Sequence, residues 1–183
     1  MSGLPRAAAL GALCVLGCAA GGALGRAGAM DDVITSSAVA SLDVPKGDGD
    51  GTLQLKDGTR CTLGGKDPRF MIWLRILKGA QNQGMPVYAE CAPGGGAAKT
   101  ILPFAARQIE QVDAPQGDKA AVLIFMSPSI HYLRTANPRY AAIRAVLEES
   151  AKTRQPVLLA VDPKTLDVLA AVEPDPGMKV TPI

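Results

Sequence analysis

Histidine is almost missing from this chain of 183 residues, with His131 its one imidazole. That scarcity excludes a histidine-built metal centre. The four cysteines show no C-x-x-C or C-x-x-C-H spacing, so the common zinc, haem and dithiol motifs are missing as well. Aromatic residues make up 4% of the chain, and Phe70 and Trp73 read as core residues rather than as a carbohydrate platform. No G-x-S-x-G nucleophile elbow is present. The run Gly94-Gly95-Gly96-Ala97-Ala98-Lys99-Thr100 falls short of a phosphate loop, because Pro93 and Ala98 occupy the two positions that require glycine. Asp48-Gly49-Asp50 begins like a calcium loop but continues into Thr52 and Leu53, so it reads as a turn.

What is present begins with an export signal. Met1 to Arg6 carries one positive charge, and Ala7 to Leu24 is drawn only from Ala, Leu, Gly, Cys and Val. Ala27 and Ala29 then fit the small-residue pocket of a signal peptidase, with the cut before Met30. A retained anchor is the alternative, but the stretch is rich in Ala and Gly and broken at Gly21-Gly22. A rival processing site, Val15-Leu16-Gly17-Cys18, looks like a lipobox and would place a lipid on Cys18. Only in that case is a membrane contact expected.

Removing residues 1–29 takes away Arg6 and Arg26 and no acids, so Lys and Arg fall from 19 to 17 against 17 Asp and Glu. A neutral chain lacks the basic footprint of a nucleic-acid binder, and no nucleic-acid partner is expected. Two cysteines remain, Cys61 and Cys91, in a chain expected to fold in an oxidising compartment. A structural disulfide follows as the expectation, closing a loop of about 30 residues.

Residues 30–50 are polar and Gly-rich and read as a flexible lead-in, residues 51–173 as one domain, and residues 174–183 as an extended Pro-rich tail. Asp57-Gly58 between alternating residues marks a tight hairpin. Phe70 to Lys78 and Pro86 to Cys91, with their aromatic and β-branched content, suggest a second hairpin, although Asp67-Pro68 and Gly79 would also suit a helix. Lys99 to Val112 reads as extended, and Ala120 to Met126 as a strand buried on both faces. Asn137-Pro138, followed by Tyr140, Ile143, Leu147 and Ala151, places the only long helix near 138–153, ended by Lys152, Arg154 and Pro156. Val157 to Val161 and Val168 to Val172 follow as strands. No internal repeat is evident. The expected class is α+β: a curved, mostly antiparallel β-sheet or a partly open small barrel, OB-like among the options, covered by that helix.

The best polar cluster lies between the central strand and the helix. There Ser127, Ser129, His131, Tyr132 and Arg134 read as a loop at the carboxyl end of a strand, on the assumption that the two most apolar strands are parallel neighbours. His131, Tyr132, Arg134 and Ser129 are the candidate binding residues, no catalytic or metal set is assigned, and no cofactor is implied. The carboxylates Glu110 with Asp113, Glu148 with Glu149, and Glu173 with Asp175 read as surface charge. The expected function is a non-catalytic binding or assembly module of the cell envelope, periplasmic or secreted, with a protein partner or a small ligand. The alternatives are a periplasmic hydrolase-like enzyme using the Ser127–Arg134 segment or surface carboxylates, and a lipid-anchored outer-membrane accessory.

Overall fold

A computed structural model describes residues 31–47, 49–113, 121–126, 128–178 and 180. The signal segment, Cys18 and Ser127 lie outside the described residues. The first half of the domain contains β1 (Val33–Asp43), β2 (Gly51–Leu55), β3 (Arg60–Leu63), α1 (Phe70–Gln83), β4 (Pro86–Cys91) and β5 (Ala98–Pro103). The second contains β6 (Ala105–Arg107), β7 (Gln111–Val112), β8 (Ala121–Met126), β9 (Ser129–Arg134), α2 (Tyr140–Thr153), β10 (Val157–Val161) and β11 (Val168–Val172). The class is α+β, as expected, and the sheets are antiparallel and not closed into a barrel.

Strand β1 organises the first half because its backbone serves two neighbours in turn. Val33 to Ala38 pairs with β4, while Val39 to Asp43 pairs with β2 across an irregularity at Val39/Ser41. The sheet order is β3-β2-β1-β4-β5. Where a barrel would close, a single parallel bridge joins Thr62 at β3 to Ala97 ahead of β5. This connectivity follows the partly open, OB-like option.

The second half repeats the first. Its β6 pairs with β10 and its β7 with β8, so β6 and β7 together do the work of β1, interrupted at 108–110. Residue correspondence holds at an offset of 70. Ser37↔Val87 becomes Arg107↔Val157, and Cys91↔Ala98 becomes Val161↔Val168, each of the latter next to a register shift. The parallel bridge Thr62↔Ala97 recurs as Tyr132↔Asp167. The hydrogen bonds Thr62 N to Gly96 O, Asp67 N to Gly64 O and Trp73 N to Arg69 O recur as Tyr132 N to Leu166 O, Asn137 N to Arg134 O and Ile143 N to Arg139 O. Only β8 is displaced, standing one residue further along than β2, so that Leu53↔Cys61 becomes Ile124↔His131. The expectation of no internal repeat is therefore corrected: the fold is a tandem pair of β-β-β-α-β-β units.

Each unit has its own core beneath its helix. Trp73, Leu77 and Ala80 of α1 pack with Leu53, Leu63 and Val87, and Ile143 and Leu147 of α2 pack with Ile124, Leu133 and Val157. A third cluster without helical residues joins Tyr88, Phe104, Ala106, Leu158, Ala160 and Ala170, which links the five-stranded sheet to the β11-β10-β6 sheet; the third sheet is β7-β8-β9.

Three expectations are overturned. Phe70 to Lys78 is helical: Phe70, Trp73, Leu74, Leu77 and Ala80 fall on one buried face at a period near 3.6, and this packing overrides the local β preference of its residues. Gly84, at φ 65°, ends α1 by returning its N–H to Ala80 and Gln81. A single covering helix thus becomes two. The lead-in expected over 30–50 contains β1, whose Ser36, Ser37 and Thr35 hide its strand character while its backbone groups are satisfied on both sides. Thr35 is buried and donates its hydroxyl to Asp57. Finally, β8 and β10 are not parallel neighbours: β8 lies between β7 and β9, and β10 between β11 and β6.

Candidate binding surface

The segment expected as a strand-to-helix loop is the strand β9, and with β8 it forms a hairpin whose faces differ. Facing pairs in an antiparallel ladder share a side of the sheet. Val122 with Leu133 and Ile124 with His131 point inward and are buried. Leu123 with Tyr132 and Phe125 with Ile130 point outward; Ile130 is 45% exposed and the other three are half-buried. Arg134 ends this row, its guanidinium carbon 5.7 Å from the Tyr132 ring centre and its Nε donating to Asp167 at 2.7 Å. The corresponding outer face of the first unit carries Thr52 with Thr62 and Gln54 with Arg60. One unit presents an apolar ladder, the other a polar one.

His131 does not share that outer face. It is 8% exposed and sits on the core side, at the position that Cys61 holds in the first unit. Its Nε2 lies 3.0 Å from Ser129 Oγ, while its Nδ1 is buried with no hydrogen-bond partner among the described residues. Burial holds its pKa below the usual 6.5; the nearby Leu166 backbone opposes that shift, and the positive charge of Arg107 adds to it. A Ser–His pair set up for nucleophilic attack has the second ring nitrogen oriented by an acceptor. Here no side chain of the described residues orients that nitrogen, and the Leu166 backbone is the group that acts on the ring. The structure thus brings Tyr132 and Arg134 together on a surface and sets His131, with Ser129 at its Nε2, against the core.

Cys61 and Cys91 form the expected disulfide, with Cα atoms 5.7 Å apart. Trp73 and Phe70 are buried in the first core. Gly94 to Thr100 runs from a 3-10 turn, Pro93–Gly95, into β5, with no helix to complete a phosphate loop. Arg144 donates to Glu148 at 2.6 Å, and Glu149 lies 3.9 Å from Lys152. No group of three or more His, Cys, Asp or Glu residues poised to hold a metal occurs among the described residues.

Two concave features were not anticipated. A cavity of about 440 Å³ lies between the end of α2 and the chain beyond β11, lined by Glu149, Glu173 and Asp175 and by Val146, Met178 and Val180 among others. A cleft of about 280 Å³ opens between the two units, bounded by Ile34, Tyr88 and Glu90 on one side and by Arg139, Asp167 and Leu169 on the other. In it the Tyr88 hydroxyl donates to Glu90 at 2.5 Å; burial, with the Glu90 carboxylate, pushes the phenol's pKa up. Arg139 Nη2 donates to Ser36 Oγ at 3.1 Å across the unit boundary. Comparison with known protein families, with curated proteins and with solved structures found no match.

Proposed function

We propose that this chain is an exported, non-catalytic binding or assembly module of the cell envelope, and that the outer face of the β8–β9 hairpin is its partner surface. The observation that carries the reading is the outward row Leu123, Phe125, Ile130 and Tyr132, capped by Arg134, where the sister unit is polar. Two units with one connectivity make similar demands on folding, so an apolar outer face on one of them alone answers to something other than folding. Exposed apolar surface rimmed by polar groups is typical of interaction sites. Tyr and Arg are also the side chains that most often anchor such interfaces.

Export rests on the signal-like residues 1–29 and is compatible with the disulfide. No helix among the described residues is long and apolar enough to cross a membrane. The lipid-anchored form is decided by the mass of the mature N-terminus: a start at Met30 supports the free form, and an acylated Cys18 the anchored one.

The surface is tested by chemical crosslinking in the intact envelope followed by capture of the chain. Ile130→Ser with Tyr132→Ser should remove the crosslinked partner seen with the wild type while leaving the melting temperature within a few degrees. Retention of the same partner at the same yield would contradict the reading.

A further inference from the structure

The two units provide an internal control for their arginines. In the first, Asp67-Pro68-Arg69 precedes α1, and Arg69 is neutralised at once: its Nε and Nη2 donate to the two Asp67 oxygens at 3.0 and 2.8 Å. These hydrogen bonds hold the Asp67 carboxyl down at about 2. In the second, the same place reads Asn137-Pro138-Arg139. The amide keeps the backbone role, since Asn137 Oδ1 accepts from Arg139 N at 2.8 Å just as Asp67 Oδ1 accepts from Arg69 N at 2.8 Å. The charge is gone. Among the described residues no carboxylate lies within 4.0 Å of the half-buried Arg139 guanidinium, whose one hydrogen-bond acceptor is the neutral Ser36 hydroxyl.

Arg139 also lines the cleft between the units, unlike Arg69, which donates to the Lys99 carbonyl at 2.8 Å. Of the other charges there, Arg134 is paired with Asp167 at 2.7 Å, while Glu90 accepts from the neutral Tyr88 hydroxyl and keeps its charge. The remaining walls are the apolar Ile34, Ala136, Pro138, Val168 and Leu169, with the amide of Asn137 among them. A concave, mostly apolar space with one unanswered fork of donors has the general form of a small-ligand site. A guanidinium matches a carboxylate with two parallel hydrogen bonds.

We propose that this cleft binds a small monocarboxylate on a compact, branched apolar body, with Arg139 taking the carboxylate and Ile34 and Leu169 packing against the body. The volume of about 280 Å³ suits a ligand of a few carbon atoms rather than a long chain. The negative charge of Glu90 in the same wall opposes any anion, so only the carboxylate paired with Arg139 is compensated and a dicarboxylate is selected against. This site is separate from the β8–β9 face, and its failure would leave that reading intact.

The test is a titration of the purified mature protein with 4-methylpentanoate, followed by the NMR signals of Ile34, Leu169 and the Arg139 side chain. The neutral amide of the same acid is the control. Saturable shifts confined to the cleft are expected, with the amide at least about tenfold weaker. Arg139→Gln should abolish them. Asn137→Asp, which restores the sister unit's carboxylate and keeps the arginine, should abolish them too. It also carries the test if Arg139→Gln fails to fold. No saturable shift with the carboxylate, equal binding of the amide, or an Asn137→Asp variant that binds like the wild type would each overturn the proposal.

Discussion

If the two units are structural copies, a second disulfide can be placed by correspondence alone. Cys61 and Cys91 map onto His131 and Val161; the backbone hydrogen bonds beside both pairs and the register at Cys91 and Val161 repeat, while the strand facing His131 stands one residue further along. His131→Cys with Val161→Cys should therefore bring two thiols to a Cα separation close to the 5.7 Å of the native bridge. Closing this loop of 30 residues gives about 3.6 kcal/mol in the chain-entropy model. Removing His131 also removes the unsatisfied Nδ1, a relief of about 1–3 kcal/mol, offset in part by the lost packing of the ring. At about 2–4 °C per kcal/mol for a domain of this size, the oxidised double variant should melt roughly 7–14 °C above the wild type. The assay is thermal unfolding of the oxidised protein beside each single variant, with thiol titration in denaturant to show that all four cysteines are bonded. Two free thiols after oxidation, or a bridge with no rise in melting temperature, would refute the structural equivalence.

Further expectations follow from the same geometry. Leu147→Ala and its counterpart Leu77→Ala, both fully buried, should each destabilise by about 2–5 kcal/mol in denaturant unfolding; a change below about 0.5 kcal/mol would place the side chain at the surface. Thiol titration of the unreduced, unfolded protein should find no free thiol at Cys61 or Cys91, and Cys61→Ser with Cys91→Ser should cost about 3–4 kcal/mol. Because the folded His131 pKa lies below its unfolded value near 6.5, the unfolded chain binds the extra proton first as pH falls. The His131 contribution is thus complete above pH 6.5 and is lost as pH drops from there through the lowered folded value. His131→Asn should flatten that part of a stability profile measured between pH 7.5 and 5.

How much of this was legible in the sequence varies from element to element for physical reasons. Helix α2 was legible because Tyr140, Ile143 and Leu147 keep helical spacing on an otherwise polar segment. Helix α1 was not, since exposed Met71 and Ile72 blur its apolar stripe and its aromatic and β-branched residues argue locally for a strand. Strand β1 escaped notice because it needs few apolar side chains when two neighbours satisfy its backbone. Nor did the repeat announce itself through overall similarity. A signal was nevertheless there at spacing 70: Asp43-x-Pro45-x-Gly47-Asp48 with Asp113-x-Pro115-x-Gly117-Asp118, Asp67-Pro68-Arg69-Phe70 with Asn137-Pro138-Arg139-Tyr140, and Pro86-Val87 with Pro156-Val157. Of the proposed surface, Tyr132 and Arg134 are residues that their chemistry singles out in the sequence. The inward turn of His131 depends on strand alternation, which the loop assignment had set aside. Arg139 gains its meaning only from comparison with Arg69, and Tyr88 and Glu90 reach the cleft from the other unit.

The most direct measurement of the functional account is the crosslinked partner yield from intact envelopes, compared across three chains: the wild type, an Ile130→Ser, Tyr132→Ser variant, and a control with the matching polar face altered at Arg60→Ser and Thr62→Ser. The account predicts that a partner is captured by the wild type and by the control and is lost from the first variant, with all three folded. Undiminished capture by the Ile130→Ser, Tyr132→Ser variant, or equal loss from the control, would contradict the assignment of the binding surface to the apolar hairpin of the second unit.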